Sequence, residues 1–103
     1  DFIGIPAILI KDSFSKMWRE IGLSLDRSGL LVQDYDRDKA IYVISSAKIE
    51  GEEKIYEIKL TNRGDKYLVT AHSSNGLENI SYKDARKILK HILSSYSSAV
   101  AKK

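Results

Sequence analysis

Two amphipathic segments, one on each side of a run of strand-like segments, limit the folds that this sequence can adopt. In the first of them, apolar residues recur every three or four positions, which places them on one face of a helix. They are Phe14, Met17, Trp18, Ile21 and Leu25. Gly29 follows this stripe, and a glycine readily ends a helix because it reaches positive φ without a Cβ clash. The spacing therefore predicts a helix over residues 13–28.

The second amphipathic segment lies near the other end of the chain and predicts a long helix that starts near Ser81. Lys83, Lys87 and Lys90 fall on one side of its helical wheel, as expected of a face in water. The opposite side is an apolar stripe made of Ala85, Ile88, Leu89, Ile92, Leu93 and Tyr96.

Between the helices, short apolar or alternating segments joined by polar turns indicate an antiparallel meander. The segments are Leu30–Tyr35, Ala40–Ala47, Ile55–Thr61 and Tyr67–His72, and Pro6–Ile10 forms a further strand before the first helix. The predicted order is therefore β-α-β-β-β-β-α. Two amphipathic helices need an apolar surface to cover, which an antiparallel sheet supplies. The sequence thus predicts an α+β fold in a single domain over residues 1–103.

Gly22 stands inside the first helix, where an alanine would be more favourable by about 1 kcal/mol. We therefore expect the helix backbone to approach the domain's own sheet closely at this position. Trp18 and Leu25 are expected in the core, whereas Leu23 points away from the apolar stripe.

The absence of cysteine excludes a disulfide scaffold, a thiolate nucleophile and a Cys-based zinc site. The longest apolar run, Ile5–Ile10, is too short to span a bilayer. No signal peptide precedes it, and the first residue is Asp1 rather than methionine. We therefore expect a processed or excised part of a longer protein.

The net charge of +3 is unevenly distributed, since residues 81–103 contain six basic residues and one acidic residue. Such a segment can attract nucleic acid or anionic lipid, but a solvated helix face is the simpler interpretation. Single-strand binders usually add aromatic stacking platforms beside the cations, and here only Tyr82 is available. The sequence therefore favours no nucleic-acid partner, while docking of the basic helix on an anionic surface stays an alternative.

The acidic run in the middle of the chain is not a calcium loop. Asp34, Asp36 and Asp38 resemble the start of an EF-hand loop, whose first, third and fifth positions donate oxygens. The sixth position is Lys39 rather than glycine, and the twelfth is Ser45 rather than glutamate. We interpret the run as a solvated hairpin turn.

No other residues form a pattern typical of catalysis. His72 and His91 have no second ligand at metal-binding spacing, and no serine lies in a Gly-x-Ser-x-Gly elbow. The chain also lacks a glycine-rich phosphate loop. We therefore expect no enzymatic activity, no cofactor and no metal.

One stretch of the chain resembles a known family. It runs Gly22-Leu23-x-Leu25-Asp26-Arg27-x-Gly29, then Val32-x-Asp34-x-Asp36-Arg37, with Trp18 in the helix before it and Tyr42 in the strand after it. This pattern resembles the NlpB/DapX lipoprotein family, the BamC subunit of the outer-membrane β-barrel assembly machinery. Residues 14–43 carry most of the resemblance. One departure is Ala40, where the family often has glycine.

The resemblance implies a helix-grip fold, in which an antiparallel sheet wraps around a long helix. It also implies a non-enzymatic, accessory role in β-barrel assembly in a Gram-negative bacterium, with other subunits of that machinery as partners. The domain would belong to an outer-membrane lipoprotein and face the periplasm or the cell surface. Its lipid anchor would lie upstream of this chain.

Four residues are the candidate partner contacts: Leu23, Asp36, Arg37 and Tyr42. Asp36 and Arg37 lie in a polar turn and can form charge-assisted hydrogen bonds. Tyr42 is expected on the sheet face away from the helices, where tyrosine is a favoured interface residue. As an alternative function, a cup between helix and sheet would bind a small apolar ligand or lipid, which needs a cavity of about 300 Å³ or more.

Overall fold

A computed structural model of the chain describes residues 6–46, 53–73 and 82–101. Its elements follow one another in the predicted order β-α-β-β-β-β-α, which confirms the α+β fold class. They are β1 (Ile8–Ile10), α1 (Phe14–Arg27), β2 (Leu31–Asp36), β3 (Ile41–Ser45), β4 (Ile55–Arg63), β5 (Lys66–Ser73) and α2 (Tyr82–Ala101).

The five strands form one antiparallel sheet in the order β1-β5-β4-β3-β2. Four consecutive strands therefore make the predicted meander, and β1 joins its far edge by pairing with β5. In the centre of the sheet, Tyr42 lies opposite Ile58, and Ile58 lies opposite Ala71. At the other edge, β2 pairs with β3 through a register shift between Val32 and Asp34.

The first helix begins and ends where the sequence predicts. The Ser13 side chain accepts a hydrogen bond from the backbone N–H of Lys16, which satisfies a donor of the first turn. At the other end, Gly29 adopts a φ of 82°, in the left-handed region that glycine tolerates. The side chains of Met17, Ile21 and Leu25 are fully buried, as the apolar stripe requires.

Both helices pack against the same face of the sheet. The strand residues that point to them share one hydrophobic core with the buried faces of α1 and α2. The end of α1 also contacts α2. Ser28, the residue directly after α1, donates a hydrogen bond from its hydroxyl to the carbonyl of His91 in α2. An antiparallel sheet against two helices is the arrangement expected of a helix-grip fold.

The second helix buries the predicted stripe. Its side chains Ala85, Ile88, Leu89, Ile92 and Tyr96 lie in the core. Leu93 is the exception, since 44% of its surface is exposed. The Tyr96 hydroxyl donates a hydrogen bond to Asp12 just ahead of α1. Burial, and then this bond, raise the pKa of Tyr96.

Some predicted features fall outside the described residues. They are Ser81, near which the second helix is predicted to start, residues 48–52 of the turn before β4, and residues 74–80 of the loop after β5. Within the described part of the chain, no helix is both long and apolar enough to cross a bilayer.

Candidate interaction site

Tyr42 points toward the helices, so the orientation predicted for it is wrong. Only 6% of its surface is exposed, and its ring stacks on Trp18 with centroids 4.1 Å apart. Its hydroxyl donates a hydrogen bond of 2.8 Å to the carbonyl of Trp18. Burial raises the pKa of Tyr42 to about 12, although the nearby Arg37 acts in the opposite direction. Tyr42 therefore joins the sheet to α1 and is not an exposed contact.

Gly22 is what allows this close contact. A Cβ atom on residue 22 would lie 2.6 Å from the hydroxyl oxygen of Tyr42, closer than non-bonded atoms approach. The predicted close approach of the helix backbone to the domain's own sheet is thus confirmed.

Trp18 and Tyr42 belong to a row of aromatic side chains that crosses the helix–sheet interface. Phe14 lies between Tyr67 and Trp18, with centroid separations of 5.8 and 5.7 Å. At the other end of the row, Tyr35 contacts both Trp18 and Tyr42 at 6.3 Å. Tyr35 is 63% exposed and Tyr67 is partly buried, so the row is buried at Trp18 and Tyr42 and reaches the surface at Tyr35.

Asp36 ends β2, and Arg37 begins the turn that leads to β3; local hydrogen bonds fix this turn. The Asp36 carboxylate accepts from the backbone N–H of Lys39, and the N–H of Ala40 donates to the carbonyl of Arg37. Ala40 itself adopts a φ of 58°, in the left-handed region. The turn is thus the solvated hairpin that the sequence predicts.

Arg37 connects this turn to the start of α1. Its guanidinium donates a hydrogen bond of 3.1 Å to the hydroxyl of Ser15. The guanidinium carbon also lies 5.5 Å from the centre of the Phe14 ring, within the range of a cation–π contact. Arg37 remains exposed, so it holds the turn while presenting charge at the surface.

Leu23 is exposed, as predicted, but it is distant from the turn. It lies nine residues after Phe14, which corresponds to about 13 Å along the helix axis at 1.5 Å per residue. Leu23 and Arg37 are therefore at different ends of α1. The structure brings Asp36 and Arg37 together, but Leu23 does not join them.

The described residues form open grooves at both ends of the helix–sheet interface. The first, named here the turn groove, has a volume of about 600 Å³. It is lined by Phe14, by Arg37, Asp38, Lys39 and Ala40 of the turn, by Lys59, Leu60, Thr61 and Asn62 of β4, and by Tyr67 of β5. Four elements contribute to it, so no single sequence motif identifies it.

The second groove, named the α2 groove, has a volume of about 420 Å³ and separates β1 from α2. Its lining is mostly apolar, with two cations on the helix side. The residues are Pro6, Ala7, Ile8, Arg86, Leu89, Lys90 and Leu93. Its apolar stripe of Leu89 and Leu93 is visible in the sequence, whereas its contact with β1 is not.

In the part of the chain that the structure describes, His72 and His91 do not belong to a metal-binding cluster. Among the described residues, no three acidic, histidine or cysteine side chains are grouped as a metal site would require. The His72 ring nitrogen Nε2 lies 2.7 Å from the hydroxyl of Thr70. Burial and then Lys59 lower the pKa of His72, while Glu57 acts to raise it.

Comparison with known proteins gives one informative result. No protein-family model matches the chain. Over 53 residues, half of this chain, the sequence is 36% identical to an outer membrane protein assembly factor BamC from Accumulibacter regalis. The matched region covers 14% of that protein's length, so this chain corresponds to a small part of it. The match supports a relationship to BamC over half of the chain.

Proposed function

We propose that this chain is a non-enzymatic interaction domain of an outer-membrane lipoprotein that assists the assembly of outer-membrane β-barrel proteins. The observation that carries the proposal is the 36% identity to a BamC assembly factor. The fold agrees with it, since a sheet that holds two helices on one face is a rigid scaffold for surface contacts.

The exposed residues at the β2–β3 turn supply the proposed contact surface. Asp36 and Arg37 present charge there, and Tyr35 presents an aromatic ring beside them. Tyrosine and arginine are enriched at protein interfaces because they combine contact area with directed hydrogen bonds. Leu23 offers a second, separate contact on α1.

The proposed partners are other subunits of the β-barrel assembly machinery. The proposed location is the outer membrane, with the domain facing the periplasm or the surface, anchored by a lipid attached upstream of this chain. No cofactor or metal has a part in this function.

Affinity purification of the full-length protein from its own cells tests the proposal. We expect the β-barrel assembly subunits to co-purify from the outer-membrane fraction, and we expect a lipidated cysteine in the precursor. Recovery of the protein in the cytosolic fraction, or without those subunits, would contradict the proposal.

A surface variant identifies the contact residues. Combined replacement of Leu23, Asp36 and Arg37 by alanine is expected to reduce co-purification. Lys87→Ala, which alters an exposed residue of α2, is the control and is expected to leave it unchanged. Equal recovery with both variants would exclude this surface.

The α2 groove favours a second candidate function, the binding of a small apolar ligand or lipid. Its volume of about 420 Å³ is within the range of small-molecule sites, and Arg86 and Lys90 can pair with an acidic head group. Titration with palmitate, followed by the NMR signals of the Ile8 and Leu89 methyl groups in the groove lining, tests this function. Saturable shifts that Leu93→Glu removes would support it, and unchanged spectra would exclude it.

A further inference from the structure

The turn groove carries an excess of positive charge. Its cations are Arg37, Lys39 and Lys59, and Asp38 is the acidic residue in its lining. Within the described part of the chain, neither Lys39 nor Lys59 forms an ion pair with a carboxylate. An anionic partner can therefore approach these two lysines without displacing an existing salt bridge.

The inner wall of the groove is apolar. Phe14 and Tyr67 are partly buried and pack against the core with their rings 5.8 Å apart. Leu60, 4% exposed, lies beneath them. Tyr67 is held in place by a hydrogen bond from the side chain of Asn62 to its hydroxyl. A partner side chain that inserts here must itself be apolar or aromatic.

Among the described residues, no strand neighbours the edge of β4 in this groove beyond the end of β3. The β3–β4 pairing ends at Ile41 opposite Lys59, followed by a hydrogen bond from the N–H of Leu60 to the carbonyl of Ala40. Yet β4 continues to Arg63. Backbone groups of alternate residues point to the same edge of a strand, so the N–H and C=O of Asn62 face the groove beyond the end of β3.

The positive charge, the apolar inner wall and the unpaired edge of β4 together indicate the kind of ligand that fits this groove. We propose that the turn groove binds an extended acidic segment of a partner protein, which pairs with the free β4 edge at Asn62. An apolar side chain of that segment would contact Phe14 and Tyr67, and its carboxylates would lie beside Lys39 and Lys59. This inference rests on the proposed function as an interaction domain and names the chemistry of its partner.

The geometry selects a peptide over other anionic occupants. The overhang of β4 beyond β3 comprises three residues, Thr61–Arg63, or about 10 Å of strand at 3.3 Å per residue. That length matches a short segment of added strand, in which main-chain hydrogen bonds give affinity and side-chain pockets give specificity. A lipid head group would use the lysines but leave the strand edge unpaired.

An NMR titration of the ¹⁵N-labelled chain tests the proposal. The probe is a blocked peptide of about five residues with a central phenylalanine flanked by glutamates, and with a threonine at each end. Its carboxylates and its ring then lie on opposite faces of the added strand, as the side chains of Lys59 and Leu60 do in β4. We expect saturable shifts in the amide signals of Ala40, Thr61 and Asn62. The same peptide with both glutamates replaced by lysine is expected to bind at least about tenfold more weakly, because it meets like charge.

Matched charge reversals locate the binding site. The double variant Lys39→Glu, Lys59→Glu is expected to weaken binding of the glutamate peptide about tenfold, since each exposed pair contributes up to about 1 kcal/mol. The control is Lys83→Glu, Lys87→Glu, which makes the same charge change on the exposed face of α2. It is expected to retain binding within about twofold.

Several results would overturn the proposal. They are shifts confined to other elements, equal affinity for the lysine peptide, equal losses in the two double variants, and shifts that appear on raising the protein concentration alone. Stronger binding to phosphatidylglycerol vesicles that prevents peptide binding would show that the groove is a lipid site instead. If the Lys39, Lys59 variant still co-purifies normally with the assembly subunits, the groove inference fails while the proposed function stands.

Discussion

The two ends of α1 meet the sheet in different ways. Around Gly22, the helix backbone lies against Tyr42 with no space for one more carbon atom. At Phe14, one helical turn before Trp18, the helix meets the ring of Tyr67 and the long side chain of Arg37, and an open groove remains beside them. The first region is filled and apolar, whereas the second is open and cationic. We therefore expect substitutions in the first to change stability and substitutions in the second to change binding.

The largest expected effect is in the filled region. Trp18→Ala removes a side chain that is 8% exposed and stacks between Phe14 and Tyr42. Truncation of a buried aromatic residue should lower the free energy of unfolding by about 3–5 kcal/mol. Urea denaturation measures this loss. Leu23→Ala, on the exposed side of the same helix, should cost less than about 1 kcal/mol. Similar losses of stability in the two variants would contradict the importance given to the buried side of α1.

Gly22→Ala tests how tightly the interface is filled. The added methyl group meets the Tyr42 hydroxyl at 2.6 Å, so the variant should lose about 1–3 kcal/mol despite the better helix propensity of alanine.

The matched control for Gly22→Ala is the same substitution in a Tyr42→Phe background, where the clashing oxygen is absent. There the loss should shrink to less than about 1 kcal/mol, and thermal denaturation of the four proteins gives the coupling energy. An unchanged loss in that background would place the strain elsewhere.

Tyr42→Phe alone removes the hydrogen bond to the Trp18 carbonyl and should cost about 1 kcal/mol at neutral pH. It should also change the response to alkali. The folded-state pKa of Tyr42 is raised from 10.0 to about 12, so its contribution is fully present below pH 10 and is lost as the pH rises toward 12.

The free energy of unfolding should therefore fall by about 1–2 kcal/mol between pH 10 and 12 because of this group, and the fall should be smaller in Tyr42→Phe. Tyr96, whose pKa is also raised, contributes in the same direction in both proteins. Identical alkaline profiles for the two proteins would refute the role given to Tyr42.

The smallest effect is expected in the open region. Ala40→Gly relieves a left-handed φ of 58° that alanine tolerates poorly, and it should stabilise the fold by about 0.5 kcal/mol. Chemical denaturation with closely spaced urea points resolves such a difference. A loss of stability would mean that the packing of the Ala40 methyl group outweighs the backbone strain.

Local patterns made α1 and the meander predictable. The helix has a complete stripe, a cap at Ser13 and a glycine at its end, and each of these depends only on nearby residues. The face of Tyr42 was not predictable in this way. Its strand is apolar at Ile41, Tyr42, Val43 and Ile44 in succession, so alternation could not assign an inner side.

The orientation of Tyr42 is instead determined by tertiary contacts, namely the space above Gly22 and the acceptor at Trp18. The turn groove was unpredictable for a similar reason. Phe14, Lys39, Lys59 and Tyr67 are distant in the chain and meet only through the register of β3, β4 and β5. Arg37 was identifiable from the sequence, whereas the groove beside it was not.

The position of β1 also has a consequence for the order of folding. Its partner is β5, where Ile8 lies opposite Val69, so the first strand pairs only after most of the chain is available. The meander of β2 to β5 has short connections and can assemble early, whereas closing the longer loop delays the pairing of β1. A chain emerging N-terminus first would therefore keep its opening strand unpaired until late in its emergence.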